Sequence, residues 1–163
     1  MKNNELENLY SKYSTELYIY ALSLCKDHYL SQDLVSETFY KALLSIENMQ
    51  EYIKYWLFRV CKNQYLDYLR ENKSLQDVEM NFDGLLVEDN TLEIIMINDE
   101  RRRIYYKILK LQPTYKEIIT LYYYCDFNLK EIASMVGISQ GAARTMLSRA
   151  RKKLKIYLEE DAK

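Results

Sequence analysis

Apolar residues recur at every third or fourth position through most of the first 71 residues, in three separate runs. Side chains with this spacing lie on one face of a helix, so the runs predict three amphipathic helices that pack as a small bundle. Ser31 stands before the second run and is the expected cap of the second helix. The expected core residues are Leu6, Leu9, Tyr10, Tyr13, Leu17, Ala21 and Leu24, then Leu34, Val35, Thr38, Phe39, Ala42, Leu43 and Ile46, then Ile53, Trp56, Leu57, Val60, Cys61 and Tyr68.

Two capping signals mark helix starts in the last third of the chain. Thr114 precedes Glu117 by three residues and Asn128 precedes Glu131 by three, which is the spacing of a capping box. The first signal predicts a helix that starts at Pro113 and continues to about residue 125. The second predicts a short helix that follows Asn128.

Gly137 comes directly after this short helix. The residue just beyond a helix end often needs a positive φ, which glycine adopts without strain, so the helix is expected to end there. Ser139 is then the expected cap of a longer helix. Two helices joined by a three-residue turn form a helix-turn-helix, and the small side chain of Ala133 would let them cross closely. The expected buried face of the longer helix is Ala143, Leu147, Ala150 and Leu154.

The composition agrees with an all-α protein, because only 3 Gly and 1 Pro interrupt 163 residues that are 48% hydrophobic. No apolar run is long enough for a membrane span, and the first residues lack a secretory run, so we expect a cytoplasmic protein. Cys25, Cys61 and Cys125 lie far apart, and His28 is the only histidine. We therefore expect buried free thiols, a surface His28, no metal, no cofactor and no enzymatic activity.

The charge is divided sharply along the chain. Residues 1–71 carry 8 basic and 10 acidic side chains, residues 72–100 carry 1 and 8, and residues 101–163 carry 14 and 6. A strongly acidic middle segment repels itself, which is typical of a linker. The sequence thus predicts two small helical domains, residues 1–72 and 101–163, joined by an acidic linker over residues 73–100. The linker acids include Asp77, Glu79, Asp83, Glu88, Asp89 and Glu93.

The free face of the last helix carries the residues expected to meet DNA. Its N-terminal half is where a recognition helix reads base edges in the major groove, and basic side chains further along would bind phosphates. A basic amphipathic helix in a helical hairpin is the alternative. The expected base-reading residues are Gln140, Arg144, Thr145 and Ser148, and the expected phosphate-binding residues are Arg149, Arg151, Lys152, Lys153 and Lys155.

The segment Asn128-Leu-Lys-Glu-Ile-Ala-Ser-Met-Val-Gly-Ile-Ser-Gln-Gly-Ala-Ala-Arg-Thr-Met-Leu-Ser-Arg-Ala-Arg-Lys-Lys-Leu154, with the preceding helix from Leu111, closely resembles the fourth conserved region of extracytoplasmic-function (ECF) sigma factors of the sigma-70 family. In that family the region binds the −35 promoter element. The resemblance places Gln140, Arg144 and Ser148 in the groove. Met146 departs from the family, which often has arginine there, so we expect one phosphate or base contact fewer.

The third helix of the N-terminal domain carries cations beside tyrosines on its outer face. Bases unpaired from a duplex stack on aromatic rings while nearby cations hold the backbone, so this face could grip a single strand. Spacing alone leaves open that the tyrosines belong to the core or its rim. The residues are Arg59, Lys62, Asn63, Tyr65 and Arg70.

Two N-terminal tracts, Asp33-Leu-Val-Ser-Glu-Thr-Phe-Tyr-Lys-Ala42 and Tyr55-Trp-Leu-Phe-Arg-Val-Cys-Lys-Asn-Gln-Tyr-Leu-Asp-Tyr-Leu-Arg70, resemble the second conserved region of the same sigma family. The resemblance implies that Asp33 and Glu37 bind the polymerase β′ subunit. It also implies that Trp56 and the outer face of the third helix hold the −10 element, with a flipped base accepted by residues 47–51. Ser36 stands where the family often has glutamine, which puts the affinity for polymerase in doubt.

The resemblance implies that the protein is an alternative sigma factor. The partners it implies are core RNA polymerase (β′ and β subunits) and promoter DNA, and an anti-sigma factor is a candidate third partner. The rival interpretations are a stand-alone regulator that binds DNA as a dimer and a helical adaptor that binds only proteins. A catalytic recombinase is disfavoured because the N-terminal half offers no supported nucleophile. A dimer would bind a palindrome tightly without polymerase, whereas an adaptor would not need Arg144 or Lys152.

Overall fold

The computed structural model describes residues 2–45, 52–73 and 90–161, and these ranges contain helices and no β-strand. This confirms the all-α class. Three helices precede residue 74 and five follow residue 90. Their bounds are α1 Lys2–Cys25, α2 His28–Ser45, α3 Ile53–Glu71, α4 Thr91–Ile95, α5 Asp99–Ile108, α6 Pro113–Tyr123, α7 Leu129–Val136 and α8 Gln140–Asp161.

The chain forms two compact units that meet in sequence between Asn90 and Thr91. The predicted linker extends to residue 100. Its residues from Thr91 onward belong to the second unit, and two of them, Leu92 and Met96, are buried. The second unit therefore begins earlier than the charge pattern suggested. Of the eight linker acids, Glu93 lies on α4, Asp99 and Glu100 lie on α5, and the other five lie outside the described residues, as do Ile46 and residues 47–51.

The core of the N-terminal unit is centred on the second half of α1, which packs against both α2 and α3. Side chains from Leu17 to Leu22 are all buried, on every side of the helix, because neighbours approach from two directions. The first half of α1 is more exposed. Tyr10, expected in the core, is 51% exposed, and its ring meets Phe39 edge-on at 5.0 Å between centroids.

The buried face of α3 differs in part from the predicted one. Leu57 and Cys61 are buried as expected, but Phe58 and Tyr65 complete the face, and Phe58 packs against Tyr20 with 5.2 Å between ring centroids. The other residues expected inside, which are Ile53, Trp56, Val60 and Tyr68, are only half-buried. The predicted helix was correct, and its inward face is rotated toward Phe58 and Tyr65.

Two predictions at the turn between α1 and α2 were wrong. Asp27, not Ser31, caps α2, since the Asp27 carboxylate accepts bonds from the Tyr29 and Leu30 amides at 2.9 and 3.2 Å. Ser31 lies inside the helix, where its hydroxyl donates to the Asp27 carbonyl. His28 is buried rather than on the surface, with Nδ1 2.5 Å from the Tyr18 hydroxyl oxygen.

All three cysteines are buried free thiols, as predicted. Burial is the main cause that raises the pKa of the Cys61 thiol to about 12, and the nearby Cys25 adds to the effect. The Cys61 thiol is therefore protonated at neutral pH, and neutral thiols are poor nucleophiles and poor metal ligands.

The predicted capping box at Thr114 and Glu117 does not form. Helix α6 begins at Pro113, with Gln112 as the residue before it, so Thr114 already lies inside the first turn. Proline suits the first helical position because it lacks the amide hydrogen that would be unpaired there. Glu117 is buried and does not cap the helix.

The helix-turn-helix itself matches its sequence prediction. Asn128 and Glu131 form a reciprocal capping box at the start of α7. Gly137 ends the helix with φ +79°, and the amides of Gly137 and Ile138 both donate to the Ala133 carbonyl. Ser139 caps α8 through a 3.0 Å bond from the Ala142 amide to its hydroxyl. The turn therefore spans residues 137–139, as expected.

Candidate nucleic-acid interface

Helix α8 turns one face into the C-terminal unit and presents the other to solvent. Ala143, Leu147, Ala150 and Leu154 are buried, as the apolar spacing predicted. The four expected base-reading residues, Gln140, Arg144, Thr145 and Ser148, are all exposed in the N-terminal half of the helix. Met146 is half-buried beside them. The Thr145 hydroxyl donates to the Gly141 carbonyl, which leaves its oxygen able to accept a further bond.

The cations of the C-terminal unit fall into two groups. On α5, Arg102 and Arg103 form ion pairs with Asp99 and Glu100, and Lys107 pairs with Asp161 at 2.6 Å. On α8, no acid among the described residues lies within ion-pair distance of the basic side chains. The basic side chains of α8 are Arg144, Arg149, Arg151, Lys152, Lys153 and Lys155. The positive charge of this third of the chain is therefore uncompensated chiefly along α8.

Arg151 differs from the other cations of α8 because neighbours from α6 hold it. Its Nε donates to the Tyr123 hydroxyl at 2.6 Å, and its guanidinium carbon lies 5.4 and 5.7 Å from the ring centroids of Tyr123 and Tyr122. The expected phosphate-binding residues are thus of two kinds: Arg149 and Lys152 extend from the helix alone, and Arg151 is fixed by an aromatic partner. Tyr123 was not predicted from the sequence, because its contact with Arg151 joins residues 28 apart.

Helix α3 presents a mixed face to solvent. Arg59, Asn63 and Arg70 are exposed on one side of it, with the half-buried Trp56 beside them, so four of the six expected residues share a surface. Arg70 forms an ion pair with Asp67. Lys62 is half-buried at the edge of this surface. Tyr52, 75% exposed, and Leu66, 42% exposed, enlarge the surface and were not predicted.

Tyr65 does not belong to this face. It is 9% exposed and completes the buried side of α3 with Leu57, Phe58 and Cys61. A base could not stack on its ring unless the side chain left the core. Helical spacing separates Tyr65 from Arg59 and Asn63, and this could have excluded Tyr65 from the sequence alone.

The outer face of α2 combines acidic and apolar side chains. Asp33 and Glu37 are exposed, and neither carboxylate accepts a hydrogen bond or forms an ion pair among the described residues. Tyr40 and Leu44 follow them at helical spacing on the same side and are 55% and 67% exposed. The two acids were predicted, whereas the apolar pair beside them was not. The pair could have been found by extending the same spacing toward the end of the helix.

A groove of about 570 Å³ lies between α5, α6 and α8 in the C-terminal unit. Its lining is mainly apolar and includes Ile104, Ile119 and Leu158, together with Tyr123 and the charged side chains Arg101, Arg151 and Lys155. An apolar concavity with charged side chains in its lining fits an amphipathic protein segment better than a small polar ligand.

Tyr124 and Arg101 join α5 to the end of α6 beside this groove. The Tyr124 hydroxyl donates to the Arg101 carbonyl at 2.7 Å, and the Arg101 guanidinium lies 4.1 Å from the Tyr124 ring centroid. A second bond runs from Arg101 Nη2 to the Tyr123 carbonyl. Burial raises the pKa of the Tyr124 hydroxyl to about 12, although the charge of Arg101 acts in the opposite direction.

Among the described residues, no cluster of three or more histidine, cysteine or acidic side chains could hold a metal ion. Within the same part of the chain, no helix is both long enough and apolar enough to span a membrane.

Two family models match the chain, one in each unit. Residues 9–75 match the model described as Sigma-70 region 2, and residues 101–154 match the model described as Sigma-70, region 4. The first match contains the exposed faces of α2 and α3, and the second contains the helix-turn-helix.

Curated relatives match the chain over nearly its whole length. The chain is 30% identical over 151 residues to the ECF RNA polymerase sigma factor SigM of Bacillus subtilis, which covers 92% of this chain and 93% of the relative. It is 28% identical over 152 residues to the RNA polymerase sigma factor SigV of the same organism, which covers 90% of this chain and 86% of that protein.

Solved structures agree in fold. The sigma factor RpoE from Bartonella quintana, crystallised with the anti-sigma factor NepR, has a TM-score of 0.71 and 24% identity over 98% of each chain. CnrH, in complex with the cytosolic domain of CnrY, has a TM-score of 0.66 and 21% identity, covering 98% of this chain and 90% of that one.

Proposed function

Since this chain belongs to the ECF RNA polymerase sigma factors of the sigma-70 family, we propose that its two units divide promoter recognition between them. The chain functions as an alternative sigma factor that binds core polymerase and directs it to promoters. In the proposed division, α8 reads the −35 element as a duplex and α3 holds the −10 element after it opens. Catalysis belongs to the polymerase, and the chain contributes binding energy in the cytoplasm, where transcription takes place.

The single observation that carries the −35 assignment is the uncompensated positive charge along the exposed side of α8. Double-stranded DNA carries closely spaced phosphates, and cations without an acidic partner can bind them without first breaking an ion pair. Arg144, near the start of the helix, would read a base edge together with Gln140 and Ser148. Arg149, Arg151 and Lys152 would bind the flanking phosphates.

The −10 assignment rests on the mixed surface of α3. An opened strand exposes base faces as well as phosphates, so its binding site needs aromatic or apolar surface beside a smaller number of cations. Arg59, Asn63 and Trp56 offer this combination, with Tyr52 at one end of the same surface. Tyr65 is left out of the proposed site because it is buried.

Two surfaces are proposed to bind the polymerase. On α2, Asp33 and Glu37 lie beside Tyr40 and Leu44, and this surface would suit a basic, partly apolar surface of β′. In the C-terminal unit, the groove between α5, α6 and α8 would accept an amphipathic segment of β. The crystallised RpoE was bound to an anti-sigma factor, and we propose that a protein of that class masks these surfaces here.

The test is run-off transcription from a randomised promoter library by purified core polymerase, with and without this chain. We expect selective initiation from promoters that share two elements at a fixed spacing. Sedimentation of the chain alone and with core polymerase provides the control for its state of association. A folded dimer that binds palindromic DNA tightly and leaves initiation unchanged would instead establish the stand-alone regulator.

A further inference from the structure

Tyr123, the last residue of α6, contacts Arg151 of α8 at the surface of the C-terminal unit. The Arg151 Nε donates to the Tyr123 hydroxyl oxygen at 2.6 Å, and the guanidinium lies beside the rings of Tyr123 and Tyr122. Tyr123 is 43% exposed and Arg151 is exposed. The pair also lines the groove between α5, α6 and α8. The contact is thus at the solvent boundary, where a third molecule could reach it.

The contact leaves part of the Arg151 guanidinium unsatisfied. Arginine has five N–H donors, and the Tyr123 hydroxyl accepts the one on Nε. In the part of the chain that the structure describes, neither Nη nitrogen has a recorded partner, and no carboxylate lies within ion-pair distance. The two Nη groups form a planar fork whose geometry matches two oxygens of a phosphate.

The position of the pair indicates which phosphate would use this fork. Arg151 follows Arg144 by seven residues, about two turns further along the same side of α8. A duplex read by Arg144 would therefore present its backbone near Arg151. A free arginine side chain samples many rotamers, and the bond to Tyr123 together with the flanking rings restricts that freedom before DNA arrives.

We propose that Tyr123 is a positioning residue for the −35 contact: its hydroxyl fixes Arg151 so that the Nη edge binds a phosphate of the duplex that α8 reads. This inference rests on the proposed function. It adds to the DNA site a residue from α6, outside the helix-turn-helix. Tyr123 acts through Arg151, and it need not touch the DNA itself.

A merely structural role makes a different prediction. If the bond only tethered α6 to α8, removing the Tyr123 hydroxyl would loosen the unit and weaken DNA binding through lost order. It would not change how many ions the DNA releases. A bound phosphate contributes directly to the slope of affinity against salt concentration, so that slope distinguishes the two roles.

The experiment uses the full chain assembled with core polymerase, on a selected promoter fragment held at a temperature where it stays double-stranded. Affinity is measured across a range of salt for Tyr123→Phe, for the matched control Tyr122→Phe, and for each in an Arg151→Ala background. We expect Tyr123→Phe to weaken binding roughly five-fold and to lower the salt slope by up to about one charge. Tyr122→Phe should leave both unchanged, and neither should matter once Arg151 is absent.

The positioning role is overturned if Tyr123→Phe behaves like Tyr122→Phe, if it loses affinity with an unchanged salt slope, or if it loses as much in the Arg151→Ala background. The thermal midpoint of each variant is measured alongside, and a fall limited to Tyr123→Phe would assign the bond to tethering. A wild-type chain that gives no selective initiation would overturn the −35 function itself, which is a separate result.

Discussion

The two helices proposed to meet DNA differ in how their exposed faces are built. Helix α8 carries six cations with no acidic partner among the described residues, whereas α3 carries fewer, and one of them, Arg70, is paired with Asp67. The α3 face instead includes exposed Tyr52 and Leu66. Phosphate density favours the first kind of surface for a duplex, and exposed base faces favour the second for an opened strand. The exposed face of α8 thus suits duplex DNA, and the exposed face of α3 suits an opened strand.

The helices are also held in different ways. Small buried residues, Ala143 and Ala150, line the inner face of α8 and let neighbouring helices approach closely. The inner face of α3 is built from large side chains, including Phe58 and Tyr65, which pack with partners such as Tyr20. The packing of α8 therefore requires small buried side chains, whereas the packing of α3 requires large ones. Each difference can be tested separately.

The largest effect is expected for Arg144→Ala, which removes a proposed base contact from α8. A good bidentate contact contributes about 1–3 kcal/mol of discrimination, so initiation should fall roughly 5- to 150-fold. The loss should shrink on promoters whose −35 element is scrambled. Run-off transcription from both promoter types gives the measurement.

Two control variants accompany this prediction. Arg103→Ala removes an arginine of the same unit that is already paired with Glu100, and initiation should stay near the wild-type level. Arg59→Ala removes a proposed strand contact on α3, and its loss should persist on the scrambled promoters. Equal losses for Arg144→Ala on matched and scrambled −35 elements would contradict the assignment of α8.

Ala143→Leu tests the close packing of α8. Extra methylene groups at this fully buried position should destabilise the C-terminal unit by about 1–3 kcal/mol. Hydrogen exchange should then rise in α7 and α8 and stay unchanged in α1–α3. Ala42→Leu, at a fully buried position on α2, is the matched variant for the other unit and should give the opposite pattern. Coupled changes in both units would show that they do not fold independently.

The caps should contribute similarly in the two units. Asn128→Ala removes the capping box of α7, and Asp27→Ala removes the carboxylate that caps α2. Each should cost about 1 kcal/mol of stability in its own unit, measured by urea unfolding. Ser31→Ala tests the cap that was expected from the sequence. It should remove no capping stabilisation, because the Ser31 hydroxyl donates to the Asp27 carbonyl and accepts no bond from a free amide at the helix start.

The smallest effect at neutral pH is expected for Tyr124→Phe, yet it should appear in alkali. Burial raises the pKa of Tyr124 from 10 to about 12, so the unfolded chain releases this proton more readily than the folded one. The stabilisation is complete below pH 10 and is lost as the pH rises toward 12. In Tyr124→Phe, the C-terminal unit should no longer lose the part of its stability that depends on ionisation of Tyr124 between pH 10 and 12.

Cys61→Ala gives the corresponding comparison in the N-terminal unit, because burial raises the pKa of Cys61 from 9 to about 12. The contribution of Cys61 should be lost between pH 9 and 12 and should be absent in the variant. Unfolding midpoints compared at pH 8 and pH 11 test both residues. An unchanged difference between variant and wild type at the two pH values would contradict the burial of that group.

Sequence reasoning succeeded where the signal was local. The capping box at Asn128, the positive φ of Gly137 and the cap at Ser139 each depend on hydrogen bonds between residues three to five apart, so the helix-turn-helix could be located from its own segment. The same kind of signal failed at Thr114. Pro113 already provides a favoured first helical residue, and Glu117 is buried instead of free to cap.

The sequence by itself determined the all-α class, both family motifs and the exposed cations of α8, because periodicity, caps and charge are written along one segment. Only the tertiary structure decided what depends on contact between segments. It buried Tyr65 and His28, moved residues from Thr91 onward into the second unit, and joined Tyr123 to Arg151 across 28 residues. Burial and ion pairing depend on which residues, distant in sequence, pack against a side chain, and helical spacing within one segment does not identify them.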